Sequence, residues 1–335
     1  MAVHCRHYRL SNGRIAESLM YVLILGQPDD TRCQRLADQI NLTSYQAVIF
    51  DTRTIAGSAS LSWYPHRHDG ELCIDDKTIL LSQVVAGYWL NYTPVSSANG
   101  GLSNMAREQL ISAEYTGLLY ILFRFPGIRW INPADAIILH QCKGIQLYHA
   151  QQAGLNIPPT LITNHFVAAS AFMHTDSAII AKPVQGGAYT RLLSSAMKHE
   201  HYLKSRLSRC PATFQQFIAG TNIRSYIVGE QIISAELRSN AVDFRLDEAT
   251  HMLPHSLPAA LHKKSLLLAR QFSLLWAAID WRLTPEGRYI FLEINPAPHF
   301  SRFEDEVGIS ISTLLAGLLP ANTCSFSDLT THVKR

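Results

Sequence analysis

The stretch Phe291-Leu-Glu-Ile-Asn-Pro-Ala-Pro298, read together with Asp280, is the most informative part of the chain. Thr284-Pro-Glu-Gly287 has the composition of a tight turn, so the apolar runs on either side read as a hairpin spanning Ile279 to Ile294. Glu293 and Asn295 are two apart on a strand, so both side chains point to one face. Folding about Pro285 to Gly287 brings Asp280 within a residue or two of Glu293. Two carboxylates and an amide oxygen then converge at the end of a hairpin. Oxygen-only ligands of this kind suit Mg²⁺ held together with nucleotide phosphates. A solvated hairpin with inconsequential acids fits less well, because Glu293 lies inside an apolar strand where an unpaired charge is costly.

Working outward, Lys182 ends the apolar run Ala178-Ile-Ile-Ala181 and precedes Pro183, Gly186 and Gly187. A lysine there can place its ammonium on a phosphate while loop N–H groups cradle the oxygens. The order GxxxxGK[ST] is absent, so Gln185 to Thr190 is not a Walker loop. Taken alone, Lys182 is more often an ordinary strand-end lysine, and Lys143 alone is a weaker signal still, because surface lysines on helices are common. Phe214-Gln-Gln-Phe-Ile218 is extended, and Gln216-Phe-Ile218 can offer backbone N–H and C=O groups to an adenine edge. Arg224 shares a strand face with Asn222 and Tyr226 and can meet a phosphate bidentately. Asp243 and Arg245 form a smaller polar pair, which as an exposed salt bridge would contribute little.

The rest of the chain sets limits. Of its 335 residues, 47% are hydrophobic and 16% charged, a globular profile that needs more than one compact lobe. The net charge is +3 with no clustered basic run, which argues against a nucleic-acid binder. Six cysteines, Cys5, Cys33, Cys73, Cys142, Cys210 and Cys324, stand singly with no metal-ligand or disulfide spacing. No apolar run approaches the ~18 residues of a membrane span, and Met1 to Met20 lacks the apolar core of a signal peptide. The expectation is a reduced, cytoplasmic protein without membrane contact. The pairs His66/His68 and His199/His201 have no acidic or Cys partners at known metal spacing.

Periodicity predicts an α/β (α+β) chain. Residues 1–19 form an N-terminal extension, followed by strand Tyr21 to Leu25, helix Thr31 to Ile40 and strand Ala47 to Phe50, a small lobe with a parallel pair. Short strands and turns follow over 56–78, and Leu80 to Leu90 fits strand or helix. Met105 to Phe123 is helical, Pro126 to Asn132 turns, and helices begin at Pro133 and around Lys143. Strands are expected at Thr160 to Thr163, Ile179 to Pro183, Thr213 to Ile218, Ile223 to Val228 and Gln231 to Leu237. A long helix, Leu261 to Ala278, precedes the hairpin, and a last helix covers Ile309 to Leu319.

In order, Lys143, Lys182-Pro, Gln216-Phe-Ile, Asn222-x-Arg224, Asp280 and Glu293-x-Asn295 resemble the ATP-grasp superfamily. Within it the chain is similar to the ribosomal-protein glutamate ligases and the graspetide (microviridin-type) peptide macrocyclases. Lys143-Gly-Ile-Gln-Leu147, Gly154-Leu-Asn-Ile-Pro158 and Thr160-Leu-Ile-Thr-Asn164 look like the entry to that grasp domain. Phe291 to Pro298, with Phe303-Glu304 and Gly308, looks like its end. The resemblance covers roughly the C-terminal two thirds. It implies a pre-ATP-grasp lobe and connecting helix over 20–125, an ATP-grasp domain over 126–322 and a tail over 323–335.

The resemblance also implies roles: Lys143 and Lys182 on ATP phosphates, Gln216, Phe217 and Ile218 on adenine, and Asp280, Glu293 and Asn295 on Mg²⁺. Arg224 and Arg245 would stabilise the acyl phosphate and the transferring phosphoryl group. The implied activity is ATP-dependent activation of an Asp or Glu carboxylate, giving ester or amide crosslinks in a ribosomally made precursor peptide with a leader sequence. Joining amino acids to a peptide C-terminus, or to one another, uses the same residues, and a non-catalytic ATP-binding regulator is the alternative of another class. A homodimer is expected. The hairpin around Gly229 and the segment Arg238 to Arg245 are the candidate leader surfaces, and no general base stands out. Two positions depart from the family pattern: Gln216 and Asn222 each stand where an acid is frequent.

Overall fold

The computed structural model describes residues 19–93, 95, 105–174, 178–185, 191–194, 199–239 and 249–319. The expected extension up to residue 18, the tail over 323–335, Asp243, Arg245 and the loop glycines 186 and 187 lie outside the described residues.

The N-terminal lobe begins with β1 (Tyr21–Leu25), α1 (Thr31–Asn41) and β2 (Gln46–Phe50). A meander of β3 (Ser60–Tyr64), β4 (Asp69–Ile74) and β5 (Lys77–Leu80) follows, then β6 (Val84–Trp89), α2 (Met105–Phe123) and β7 (Arg129–Ile131). The sheet order is β2-β1-β6-β7, with every pairing parallel. All five residues of β1 are buried, because a parallel strand in mid-sheet is covered on both faces. The ambiguous stretch after Leu80 is a strand. Arg129–Ile131, expected to turn, pairs with β6 instead, so the first lobe runs beyond the expected boundary at 125 to Ile131.

Two short helices, α3 (Ala134–His140) and α4 (Lys143–Gln152), lead to the central lobe. This comprises β8 (Thr160–Thr163), α5 (Phe166–Met173), β9 (Ile179–Lys182), β10 (Arg191–Leu192), α6 (Glu200–Leu207) and β11 (Ala212–Gln216), in the order β10-β9-β11-β8. Ala169, Met173, Ile179, Leu203, Leu207 and Phe214 form its own small core.

The third lobe is a five-stranded sheet, with β12 (Thr221–Val228), β13 (Gln231–Arg238), β14 (His251–His255), α7 (Ala259–Gln271), β15 (Trp276–Leu283) and β16 (Tyr289–Asn295). α8 (Ser301–Val307) and α9 (Ile311–Ala316) close it, two helices where one was expected. The order is β14-β13-β12-β15-β16. The helix expected to reach Ala278 ends at Gln271: Ser273 takes a left-handed φ of 56°, and the apolar run after it enters the sheet as β15.

Alternation along β12 and β15 explains how this sheet is used. Ile223, Ile227, Ile279 and Trp281 point to one face and pack with Leu147 of α4 and Leu268 of α7. Tyr226, Val228, Trp276 and Ala278 point to the other and pack with Val22, Leu36, Phe303 and Leu315, fusing the sheet to the N-terminal lobe. Further along that second face the apolar residues give way to Arg224, Asp280 and Asn222, a polar end turned toward the central lobe.

Candidate functional site

Strand register builds the centre of the site. On adjacent antiparallel strands Asp280 pairs directly with Glu293 and Arg224 with Asp280, so all three side chains leave one face. A bulge between Asp280 and Trp281 shifts the register just after this row. Arg224 Nε and Nη2 donate to Asp280 Oδ1 and Oδ2, both at 2.7 Å, a bidentate pair with side chains only 12% and 14% exposed. Desolvation pulls the Arg224 pKa down, and Asp280 more than reverses it.

Lys143, the first residue of α4, reaches across to Glu293 as an ion pair. Burial pushes the Glu293 carboxyl up, but Lys143, then Lys182 and Arg224, hold it below the ordinary value. Lys182, the last residue of β9, donates to Gln215 Oε1 at 3.0 Å, and Gln215 in turn donates to Thr160 Oγ1 at 2.8 Å. Burial lowers the Lys182 pKa to about 8, with Lys143 adding to the fall and Glu293 opposing it. Three cations and two carboxylates thus meet between the central sheet and the third lobe.

For a divalent cation, the donor set is Asp280, Glu293 and Asn295. Among the described residues no group of three or more His, Cys, Asp or Glu could hold a metal. A cation here would rest on two carboxylates and an amide, completed by water and phosphate oxygens, as Mg²⁺ commonly is. Asn295 Oδ1 already accepts from Ala297 N–H at 3.0 Å, and each carboxylate keeps lone pairs beyond those its cation uses. The residues fit such an ion.

At the hinge, the N–H groups of Gln216 and Phe217 donate to Pro159 O and Ala178 O at 2.9 and 2.8 Å, and Ile218 O accepts from Arg282 Nε at 2.9 Å. The Ile218 N–H has no hydrogen-bond partner among the described residues. Asn222 does not orient Arg224: it accepts from Arg282 Nη1 at 2.7 Å, while Asp280 orients Arg224. The turn at Gly229 is tied to Leu275 O at 2.8 Å, and most of the other candidate leader surface, from 240 onward, lies outside the described residues.

Two residues with no expected role hold the site in place. Asn132, fully buried, donates to Trp276 O and Pro296 O at 2.6 and 2.9 Å. Its Oδ1 accepts from the N–H groups of Leu275 and Trp276 at 2.8 and 3.1 Å. It therefore ties the start of β15 to the exit of β16. Gln146 brackets Ile294 like one more strand, accepting from its N–H at 3.0 Å and donating to its carbonyl at 3.1 Å, next to Glu293. No local sequence signal marks either role, because the partners lie 164 and 148 positions away.

A family model described as the RimK-like ATP-grasp domain matches residues 140–319, over half of the chain. The chain belongs to the RimK-like ATP-grasp family. No curated protein sequence matches this ATP-grasp protein. Among solved structures it is similar to the macrocyclase MdnC bound with precursor peptide MdnA from Microcystis aeruginosa MRC. That match has 27% identity and a TM-score of 0.78, covering 90% of this chain and 99% of that one. It shares its fold with the ATP-grasp ligase PsnB complexed with a phosphomimetic minimal precursor, Mg and ADP, at 22% identity and TM-score 0.76, over 90% and 97% of the two chains. The fold also matches a Chryseobacterium gregarium RiPP-associated ATP-grasp ligase, at 19% identity and TM-score 0.77, over 90% and 96%. Among the described residues no helix is long and apolar enough to cross a membrane.

Proposed function

We propose that this ATP-grasp protein activates an Asp or Glu side chain of a ribosomally made precursor peptide as an acyl phosphate. It then joins that carbonyl to a Ser or Thr hydroxyl or a Lys amine of the same peptide. The observation that carries the chemistry is the registered row Arg224, Asp280, Glu293, with Lys143 and Lys182 facing it. Phosphoryl transfer between anions requires charge neutralisation and in-line alignment more than covalent help, and this row with its two lysines supports the reading by bringing the neutralising charge together. The peptide substrate is supported by the likeness to MdnC over 90% of this chain, MdnC having been solved with its precursor peptide.

In this reading the free Ile218 N–H meets the adenine edge, and Lys143 and Lys182 hold the phosphates. Asp280, Glu293 and Asn295 would hold Mg²⁺, which would supply positive charge to offset that of the phosphates. A substrate carboxylate oxygen attacks the γ-phosphorus, the bond to the β-phosphate oxygen breaks, and ADP leaves. Arg224, fixed by Asp280, faces the charge on the transferring group. The hydroxyl or amine then attacks the acyl carbon and inorganic phosphate leaves, so each bond formed removes one water from the peptide. Residues 20–131 would be the pre-grasp lobe and the rest of the described chain the grasp domain. A leader-binding surface, a role for Arg245 and a homodimer belong to the same proposal.

Hydroxylamine tests the first half-reaction, since it traps an acyl phosphate as a hydroxamate. With Mg-ATP and the peptide encoded beside the gene, the proposal expects hydroxamate on an acidic side chain together with stoichiometric ADP. ATP binding without ADP release or hydroxamate would point to the non-catalytic alternative. Incorporation of free amino acids would point to a tailoring ligase.

A further inference from the structure

Arg282 has no role in the chemistry above, yet it stands where the hinge meets the metal-side strand. It lies on β15 two residues beyond Asp280 and pairs in register with Asn222. Its Nε donates to Ile218 O at 2.9 Å, its Nη1 to Asn222 Oδ1 at 2.7 Å, and its guanidinium lies 5.5 Å from the centroid of the Phe217 ring. Among the described residues no carboxylate pairs with it, and burial lowers its pKa. A half-buried guanidinium without a counter-charge loses part of its hydration, and three neutral contacts compensate for part of that cost.

A second contact ties the same two segments. Gly220 takes φ 140°, and its backbone approaches β15 so closely that a Cβ would lie 2.0 Å from Leu283 O and 3.0 Å from Thr284 Cα. Only glycine permits that approach. The hinge exit is therefore pressed against residues 282–284 by backbone contact and latched there by one side chain. The effect falls on the free amide. The peptide unit before it is held through Phe217 N–H on Ala178 O, and the one after it through Ile218 O on Arg282.

We propose that Arg282 is a positioning residue for the nucleotide base: by latching the hinge to β15 it holds the Ile218 N–H at a fixed offset from Asp280. One strand then sets both the base end and the metal end of the nucleotide. This rests on the reading of Ile218 as the adenine contact and of Asp280 as a phosphate-side ligand.

The test is affinity of the full-length protein for Mg-ATP, and for adenosine by competition with a fluorescent ATP analogue. It compares wild type, Arg282→Met, Arg282→Lys and Lys182→Ala. Losing a charge-assisted hydrogen bond that orders the hinge should weaken adenosine and Mg-ATP alike, on the order of tenfold. KM for ATP should rise with kcat little changed, the signature of lost uniform binding. Arg282→Lys keeps the charge but cannot span both acceptors, so it should fall between and guards against misfolding of the Met variant. Lys182→Ala should weaken Mg-ATP and leave adenosine unchanged. Wild-type adenosine affinity in both Arg282 variants would overturn the positioning role alone. Wild-type protein that binds no Mg-ATP, or Lys182→Ala that binds it normally, would overturn the site reading and this inference with it.

Discussion

Lys182 should make nucleotide binding depend on pH in a range where lysines normally do not titrate. Its pKa is lowered from 10.5 to about 8, chiefly by burial. The ammonium is therefore about 90% charged at pH 7 and about 10% charged at pH 9. Only the charged form attracts a phosphate, so affinity is highest below pH 8 and is lost as pH rises through it. If the neutral form contributes nothing, the apparent Kd for Mg-ATP rises about tenfold between pH 7 and pH 9. Binding at pH 8 should then draw roughly half a proton from solution, because the phosphate restores the charged form. Calorimetry in two buffers of different ionisation enthalpy measures that uptake directly. Lys182→Arg stays charged throughout and should abolish both the uptake and the slope, which separates the lysine from ionisation of the nucleotide itself. A flat Kd from pH 7 to 9 with no proton uptake in wild type would refute the reasoning. The same shift has a folding consequence of the expected sign: the fold favours the neutral lysine, so Lys182 contributes more favourably as pH rises from about 8 toward its unfolded value.

Other perturbations follow from the same geometry. Glu293→Gln removes a charge that pairs with Lys143, so ADP formation should fall at least 100-fold with the far-UV circular dichroism unchanged; near-normal turnover would remove Glu293 from the site. Asp280→Asn leaves Arg224 nearly buried with its ion-pair partner gone, which should cost about 3–5 kcal/mol in urea unfolding as well as activity; a variant of wild-type stability would show the pair to be dispensable. Asn132→Ala strips partners from four backbone groups, three buried and one half-buried, and should cost about 2–5 kcal/mol, less than four separate penalties because water enters part of the void; a change in urea midpoint within error would refute its role as a tie.

The parts of the site legible in the sequence are those set by short-range rules. The period-2 spacing of Glu293 and Asn295, with turn residues Thr284 to Gly287, placed Asp280 within a residue or two of Glu293, and the register pairs the two directly. Lys182 was legible as a strand end for the same reason. The boundary at Ala278 was not, because the apolar run from Leu274 to Ala278 suits a buried helix and a buried strand equally. One left-handed residue, Ser273, decides between them. Asn132, Gln146 and Arg282 were missed because their contacts bridge segments far apart in the chain. Asn132 sits 164 positions from Pro296 and Gln146 sits 148 from Ile294, distances over which local pattern carries no information. The departure at Asn222 was visible, but its meaning was not: its partner is Arg282, and that is fixed only by the pairing of β12 with β15.

The central claim is tested most directly by mass spectrometry of the neighbouring-frame peptide after incubation with this protein and Mg-ATP. The account expects the peptide to lose one water for each bond made, with one ADP released per water, and fragmentation to place each new ester or amide on an Asp or Glu side chain. ADP-free incubation with an unchanged peptide, or a peptide heavier by an amino-acid residue, would contradict it.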